Sequence, residues 1–236
     1  MKPTLNEVPK HIGLILDGNR RLAKRLMLKP YKGHEWGAKK VHALFDWCKE
    51  LGVREITLYC FSCENFDRPK KEFAYLMNLF KKEFEKLKID QRVHNDRLKL
   101  NFIGRLYMFP QDIQERMQYL MNMTKNYNDY IINFAMAYGG RQEVIDATRK
   151  IAQQIKEGKL DIDQINEETF SNNLYMKDEP DLVIRTGESR LSGFLLWQSN
   201  YSEIIFLPNV LWPEFSKEHF ISCIEEYKNR DRRFGK

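Results

Sequence analysis

His11-Ile12-Gly13-Leu14-Ile15-Leu16-Asp17-Gly18-Asn19-Arg20-Arg21 is the stretch from which the fold can be read. Residues 11–16 are almost unbroken in apolar character, which suits a strand buried on both faces, as strands of parallel sheets are. A carboxylate, a glycine and two arginines follow at once, so the strand ends in a polar turn leading into a helix start. Further on, Gly37, Val41, Leu44, Phe45, Cys48 and Leu51 recur with helical spacing until Gly52.

The alternation then repeats. Residues 55–61 read as a second strand, and Pro69 opens a helix with Phe73, Leu76, Met77, Phe80, Phe84 and Leu87 on one stripe. That stripe suits an ordinary core face. Residues 98–103 form a third strand, Pro110 opens a helix with Ile113, Met117, Leu120 and Met121 inward, and residues 130–135 form a fourth strand. Residues 144–155 read as a helix stopped by Gly158, residues 182–184 and 203–207 as two more strands, and residues 215–228 as a closing helix. Strands separated by helices of this length predict an α/β fold with a mainly parallel sheet of about six strands flanked by helices. No repeat or linker divides residues 1–236, so a single domain is expected.

Composition narrows the class. Apolar residues make up 42% and charged residues 31%, with no run near the roughly 20 apolar residues of a membrane span. The first residues lack a secretory h-region, which predicts a cytoplasmic protein. Cys48, Cys60, Cys63 and Cys223 are too few for a disulfide scaffold, and the Cys60-x-x-Cys63 pair has no second pair to complete a zinc site. The net charge is +6, of which residues 228–236 hold five basic and one acidic residue. The remaining +2 is no nucleic-acid groove, so recognition of phosphate at a local site is expected instead.

Ligands of open parallel sheets bind beyond the carboxyl ends of the strands. Here those ends read Asp17-Gly18-Asn19-Arg20-Arg21, Phe61-Ser62-Cys63-Glu64-Asn65, Gly104-Arg105, Tyr138-Gly139-Gly140-Arg141 and Arg185-Thr186-Gly187, a set suited to holding anions. Asp17 among phosphate-binding groups makes sense if a divalent cation bridges them, although Asp-Gly-Asn also suits a plain turn. Arg185, Arg190 and Ser192 place two guanidinium forks and a hydroxyl within eight residues, suited to phosphate oxygens.

Taken together, HIGLILDGNRRLAK (11–24), GHEWGA (33–38), FSCENFDRP (61–69), YGGR (138–141), DLVIRTGESRLSGFLLWQ (181–198) and RRFG (232–235) resemble the cis-prenyltransferases, in order and over nearly the whole chain. The DGNRR form is similar to archaeal and eukaryotic members. The resemblance implies a Rossmann-like homodimer that condenses isopentenyl diphosphate onto an allylic prenyl diphosphate with magnesium, giving a Z-polyprenyl diphosphate for a lipid glycan carrier. It implies that Asp17 holds the metal and the allylic diphosphate, that Gly18, Asn19, Arg20, Arg21 and His34 complete that loop, and that Asn65 and Arg68, with Ser62 and Phe66 beside them, orient substrate. Arg185, Arg190 and Ser192 match the isopentenyl diphosphate site, Glu203 a glutamate of metal handling, and Arg233 with Gly235 a terminal R-x-G that reaches the neighbouring subunit's diphosphate. The resemblance also raises the stripe of Phe73, Leu76, Met77, Phe80 and Phe84 as the wall of a tunnel for the growing tail. The product is expected to bring the enzyme transiently to a membrane surface, and no nucleic-acid partner is expected.

Two departures stand out. Pro30 occupies a position where many members carry arginine, with Lys29 and Lys32 as neighbouring cations, and the Arg185 to Arg190 spacing is one residue short. They leave room for an atypical acceptor or a short-chain product, and a noncatalytic partner subunit is the remaining alternative; Asp17 speaks against the last.

Overall fold

Parity along the strands decides which face each residue serves. In β1 (His11–Ile15), Ile12 and Leu14 join one core cluster and Ile15 joins another on the opposite face. The computed structural model describes residues 8–230. In chain order β1 is followed by α1 (Asn19–Arg25), α2 (Gly33–Leu51), β2 (Glu55–Ser62), α3 (Lys70–Ile89), α4 (Gln91–Asn95) and β3 (Leu98–Ile103). Then come α5 (Gln111–Thr124), β4 (Tyr130–Tyr138), α6 (Gly140–Lys156), α7 (Glu167–Ser171), β5 (Leu182–Thr186), β6 (Glu203–Leu207) and α8 (Lys217–Lys228).

The six strands form one parallel sheet in the order β3-β4-β2-β1-β5-β6. The expected single α/β domain with a flanked parallel sheet is therefore what the chain adopts. The larger core lies under α2, α3, α5 and α8, with Leu44, Leu76, Ile113 and Phe220 among its buried members. The smaller one gathers Ile15, Tyr138, Val183, Phe194 and Leu195 on the other face. Because the chain leaves β1 toward β2 on one side and returns as β5 on the other, the strand order reverses between β1 and β5. That is where a crevice opens at the carboxyl ends of the strands.

The elements differ from the sequence reading in several places. β4 continues to Tyr138, pairing with β2 through register shifts around Phe61 and Ser62, where Ala137 takes a φ of +49°. With residues 132–140 all buried, no alternation marks where this strand stops. α6 starts at Gly140 directly after Gly139, without a polar cap. The five-residue helices α4 and α7 carry too little periodicity to be read; each is instead announced by a side-chain cap, Asp90 and Asn166.

A row of polar residues crosses the sheet near its amino end. His11 Nε2 meets Thr57 Oγ1 at 2.7 Å, and Asn133 donates to Thr57 Oγ1 at 3.0 Å and to Glu55 Oε1 at 2.7 Å. Burial lowers the His11 imidazole to about 4 and raises the Glu55 carboxyl to about 7. The two act in opposite directions: His11 adds stability as pH rises from about 4 to 6.5, while Glu55 removes it as pH rises from about 4.5 to 7. Replacing Glu55 by Gln keeps the acceptor for Asn133 and removes the second effect. Thermal melts should show Glu55→Gln gaining on the wild type between pH 5 and pH 8, reaching about 1–3 kcal/mol; a gain independent of pH would contradict the burial effect.

Candidate active site

Asp17 directly follows Leu16 at the end of β1, and both ends of the residue are fixed. Its main-chain oxygen accepts from Trp212 N and from Thr186 Oγ1, each at 2.8 Å. Its carboxylate accepts from Arg185 Nη2 at 3.0 Å and lies 3.2 Å from Arg21 Nη2. Arg185 is buried to 3% exposure yet its Nε has no partner, so one guanidinium N–H in the crevice is left unsatisfied by the protein. Its Nη1 donates to Ser192 Oγ at 2.8 Å and to the carbonyl of Arg190. Arg190 in turn reaches Glu188 at 2.8 Å, and Glu188 lies 3.4 Å from Arg21.

Glycine makes this crowding feasible. Gly18 has a φ of +115°, and a Cβ there would meet the Leu211 backbone at 2.8 Å. A Cβ on Gly37 would fall 2.2 Å from Asn19 Oδ1, so α2 can approach the Asp17 loop only without a side chain at that position. Trp212 Nε1 closes the same junction by donating to Gly37 O at 3.0 Å.

On the β2 side, Ser62 caps the 3-10 turn Cys63–Asp67, and Asn65 Oδ1 accepts from Ser62 N at 3.3 Å. Behind it sits a cluster that the sequence does not advertise. Glu72, 5% exposed, takes Arg68 Nη1 at 3.0 Å and lies 3.5 Å from Arg20 and 4.0 Å from His34. One carboxylate thus gathers two guanidinium groups and an imidazole. Burial, then Arg68 and Arg20, lower His34 to about 3. The ring is neutral at ordinary pH, and because Arg68 can only donate, the Nε2 at 3.3 Å accepts and Nδ1 carries the proton.

These groups face one cavity of about 590 Å³, lined at its polar end by Asp17, Gly18, Asn19, Arg20, Arg21, Lys24, His34, Ser62, Asn65, Arg68, Arg185, Arg190 and Ser192. The apolar remainder runs between α2 and α3 over Val41, Phe45, Leu76, Phe80, Phe84 and Leu87. The α3 stripe therefore serves both purposes: Leu76, Phe80 and Phe84 wall the cavity, while Phe73 and Met77 pack into the core cluster. One polar pair interrupts the apolar wall, His42 Nε2 to Glu83 Oε2 at 2.8 Å.

Several expected site residues fall elsewhere. Phe66 does not line the cavity; its ring packs on Phe61, Phe73 and Phe109 at 5.0 to 5.7 Å, pinning the turn that presents Asn65. Glu203, expected with Asp17 in the metal pair, lies apart from Asp17 in this chain. It starts β6 opposite Leu182, at the end of the sheet away from Asp17, and is held by Arg230 at 2.8 Å. Arg233 and Gly235 lie outside the described residues. Neither Lys29 nor Lys32 lines the cavity, but Lys24, one turn beyond Arg20 on α1, does. Sequence reasoning also missed Glu72, Trp212 and Glu83. The four cysteines are free, and burial raises the Cys60 thiol to about 12.

Residues 15–235 match the protein family described as "Putative undecaprenyl diphosphate synthase". This chain belongs to the undecaprenyl diphosphate synthase family. Within that family of cis-prenyltransferases, it is 45% identical over 232 residues to the tritrans,polycis-undecaprenyl-diphosphate synthase (geranylgeranyl-diphosphate specific) of Methanopyrus kandleri, covering 97% of this chain and 85% of that protein. The Pyrococcus horikoshii protein of the same name is also 45% identical, over 97% of this chain and 88% of its own length. Among solved structures, lavandulyl diphosphate synthase from Lavandula x intermedia in complex with dimethylallyl diphosphate superposes with a TM-score of 0.89 at 31% identity, covering 97% of this chain and 99% of that one. A probable undecaprenyl diphosphate synthase from Campylobacter jejuni gives 0.79 at 33% identity, covering 98% and 100%.

For this family member, the neutral state of His34 is directly measurable. A proton NMR titration should show no His34 inflection between pH 5 and pH 8, since the charged form is held off until about pH 3; an inflection near 6.5 would place the ring in solvent.

Proposed function

We propose that this cis-prenyltransferase condenses isopentenyl diphosphate onto geranylgeranyl diphosphate at Asp17 and houses the growing Z-polyprenyl tail between α2 and α3. The observation that carries the reading is the continuity of one cavity from the Asp17, Arg21 and Arg185 cluster to the Phe80 and Phe84 wall. A head that is anionic and a tail that is apolar are what such a space accommodates. The archaeal relatives' names, at 45% identity, supply the primer. The class of product is that of lipid carriers for glycans.

In this reading the allylic diphosphate lies against Asp17, Gly18, Asn19, Arg20, Arg21 and His34, and isopentenyl diphosphate against Arg185, Arg190 and Ser192. The unsatisfied Nε of Arg185 supports an oxyanion there, since buried guanidinium N–H groups seek acceptors. Arg20, Arg21 and Arg68 offset charge on the departing diphosphate as the allylic C–O bond breaks and the C–C bond forms. Asn65 keeps its side-chain amino group uncommitted among the described residues and orients the reacting carbons. His34 contributes an N–H rather than a charge. The proton lost from the isopentenyl carbon passes to Asp17, to diphosphate, or to a water held by Asn65.

Magnesium fits the donor set. No group of three or more His, Cys, Asp or Glu side chains capable of holding a metal occurs among the described residues, and Asp17 is the carboxylate in direct contact with Arg185 and Arg21. Magnesium commonly uses one or two carboxylates plus substrate phosphates and water, which is what Asp17 beside a diphosphate site offers. Bound there, the ion would neutralise charge on the leaving group. The same reading takes the enzyme as a homodimer in which Arg233 and Gly235 reach the neighbouring diphosphate.

Asp17→Ala should keep the fold and lose at least about a hundredfold in kcat, measured with labelled isopentenyl diphosphate and geranylgeranyl diphosphate in the presence of magnesium. Turnover near the wild type would remove Asp17 from the chemistry. A second test addresses the tail. A hydrogen-bonded polar pair in an apolar wall resists contact with hydrocarbon, so replacing both partners, His42→Leu with Glu83→Leu, should shift the products toward longer chains by one or more isoprene units on chromatography. An unchanged product distribution would place the growing tail elsewhere.

A further inference from the structure

The connection between α1 and α2 leaves three consecutive apolar side chains in solvent. Leu26 is 51% exposed, Met27 95% and Leu28 45%. Met27 also has a φ of +55°, a backbone region that costs an ordinary side chain energy and that glycine or asparagine occupies more easily. The turn therefore carries its most exposed apolar group at a position where both hydration and backbone conformation favour another residue. Nothing within the described chain accounts for it.

The surroundings of this tip are basic. Residues 18–34 contain six lysines and arginines and no acidic residue, so this segment equals the net +6 of the whole chain. Arg20 and Arg21 turn inward to Glu72 and Asp17, Arg25 reaches Glu214, and Lys32 lies 3.3 Å from Glu35. Lys24 and Lys29, on either side of the apolar triplet, have no acidic partner among the described residues. Tyr31, three residues beyond Leu28, packs at a tilt against Tyr75 with ring centroids 4.5 Å apart. Exposed apolar groups ringed by cations and tyrosine are the composition of an interfacial anchor.

We propose that residues 26–28 dock the enzyme on an anionic lipid surface, with Lys24 and Lys29 facing the headgroups. The seven residues of α1 separate the tip from the diphosphate loop by roughly 10 Å, and Lys24 lines the cavity itself. Docking at this point sets the polar mouth of the cleft beside the bilayer, where prenyl substrates and products partition. The last clause rests on the function proposed above; the docking contact does not. A second copy of the chain is a poorer occupant, because a two-fold contact through this tip would bring two basic clusters together.

The test is sedimentation of the purified full chain with phosphatidylcholine vesicles, with and without phosphatidylglycerol, alongside condensation assays in vesicle-free buffer with geranylgeranyl diphosphate as primer. The wild type should pellet with the anionic vesicles and remain in solution with the neutral ones. Met27→Asp and Lys29→Glu should each weaken that binding about tenfold or more while turnover in free solution is retained. Met27→Gly, which relaxes the backbone, should weaken binding as well and guards against loss by misfolding. Vesicle binding unchanged in all three variants, or absent in the wild type, overturns the docking surface. So does a change of oligomeric state in Met27→Asp by light scattering, which would make a second copy the occupant. A wild type that binds anionic vesicles but condenses nothing would overturn the proposed reaction and leave the docking surface standing.

Discussion

The seam between β1 and β5 is where the rest of the structure is anchored, and a single main-chain oxygen closes it. The carbonyl of Asp17 accepts from Thr186 at the end of β5 and from Trp212 in the segment after β6. Three stretches distant in sequence converge on one atom, and the same residue's carboxylate is then held by Arg185 from β5 and Arg21 from α1. Lone carboxylates and lone guanidinium groups are costly in a buried crevice, and here each answers the other. A ligand that brings more negative charge finds Arg185 already desolvated and fixed, so little ordering is left to be done on binding.

The electrostatic layout around this seam is graded. Toward β1 and β5, one aspartate faces two arginines. Toward α3, Glu72 faces Arg68, Arg20 and a neutral His34. In both places cations outnumber carboxylates, and burial keeps the histidine from adding a further positive charge. The resulting field favours a polyanion without requiring that any single group be unpaired in its absence. The exception is the Arg185 Nε, which has no partner within the protein.

Much of this was legible in the sequence where information is local. The strand ends are contiguous motifs, so Asp17, Asn65, Arg185, Arg190 and Ser192 could be read as one anion-binding set, and the structure gathers them around one cavity. Glu72 was not legible, since an acidic residue in the first turn of a helix is ordinarily accounted for by the helix dipole. Its partners come from three other segments. His42 and Glu83 are 41 residues apart, and no periodicity links them. The α3 stripe serves two purposes at once, because Leu76, Phe80 and Phe84 belong to the core cluster or pack against it and also line the cavity.

The missing side chain at Gly37 couples the two halves of the cavity. α2 begins pressed against Asn19, with Trp212 bonded to the Gly37 carbonyl, and its next turns supply Val41 and Phe45 to the apolar wall. A rigid helix that is seated at its head cannot swing outward along its length without disturbing the loop that holds Asp17. On the α2 side the apolar wall of the cavity is therefore fixed together with that loop. Variation in what the cavity accepts is directed, on this side, into the side chains that project from α2, while the anion-binding end stays in register.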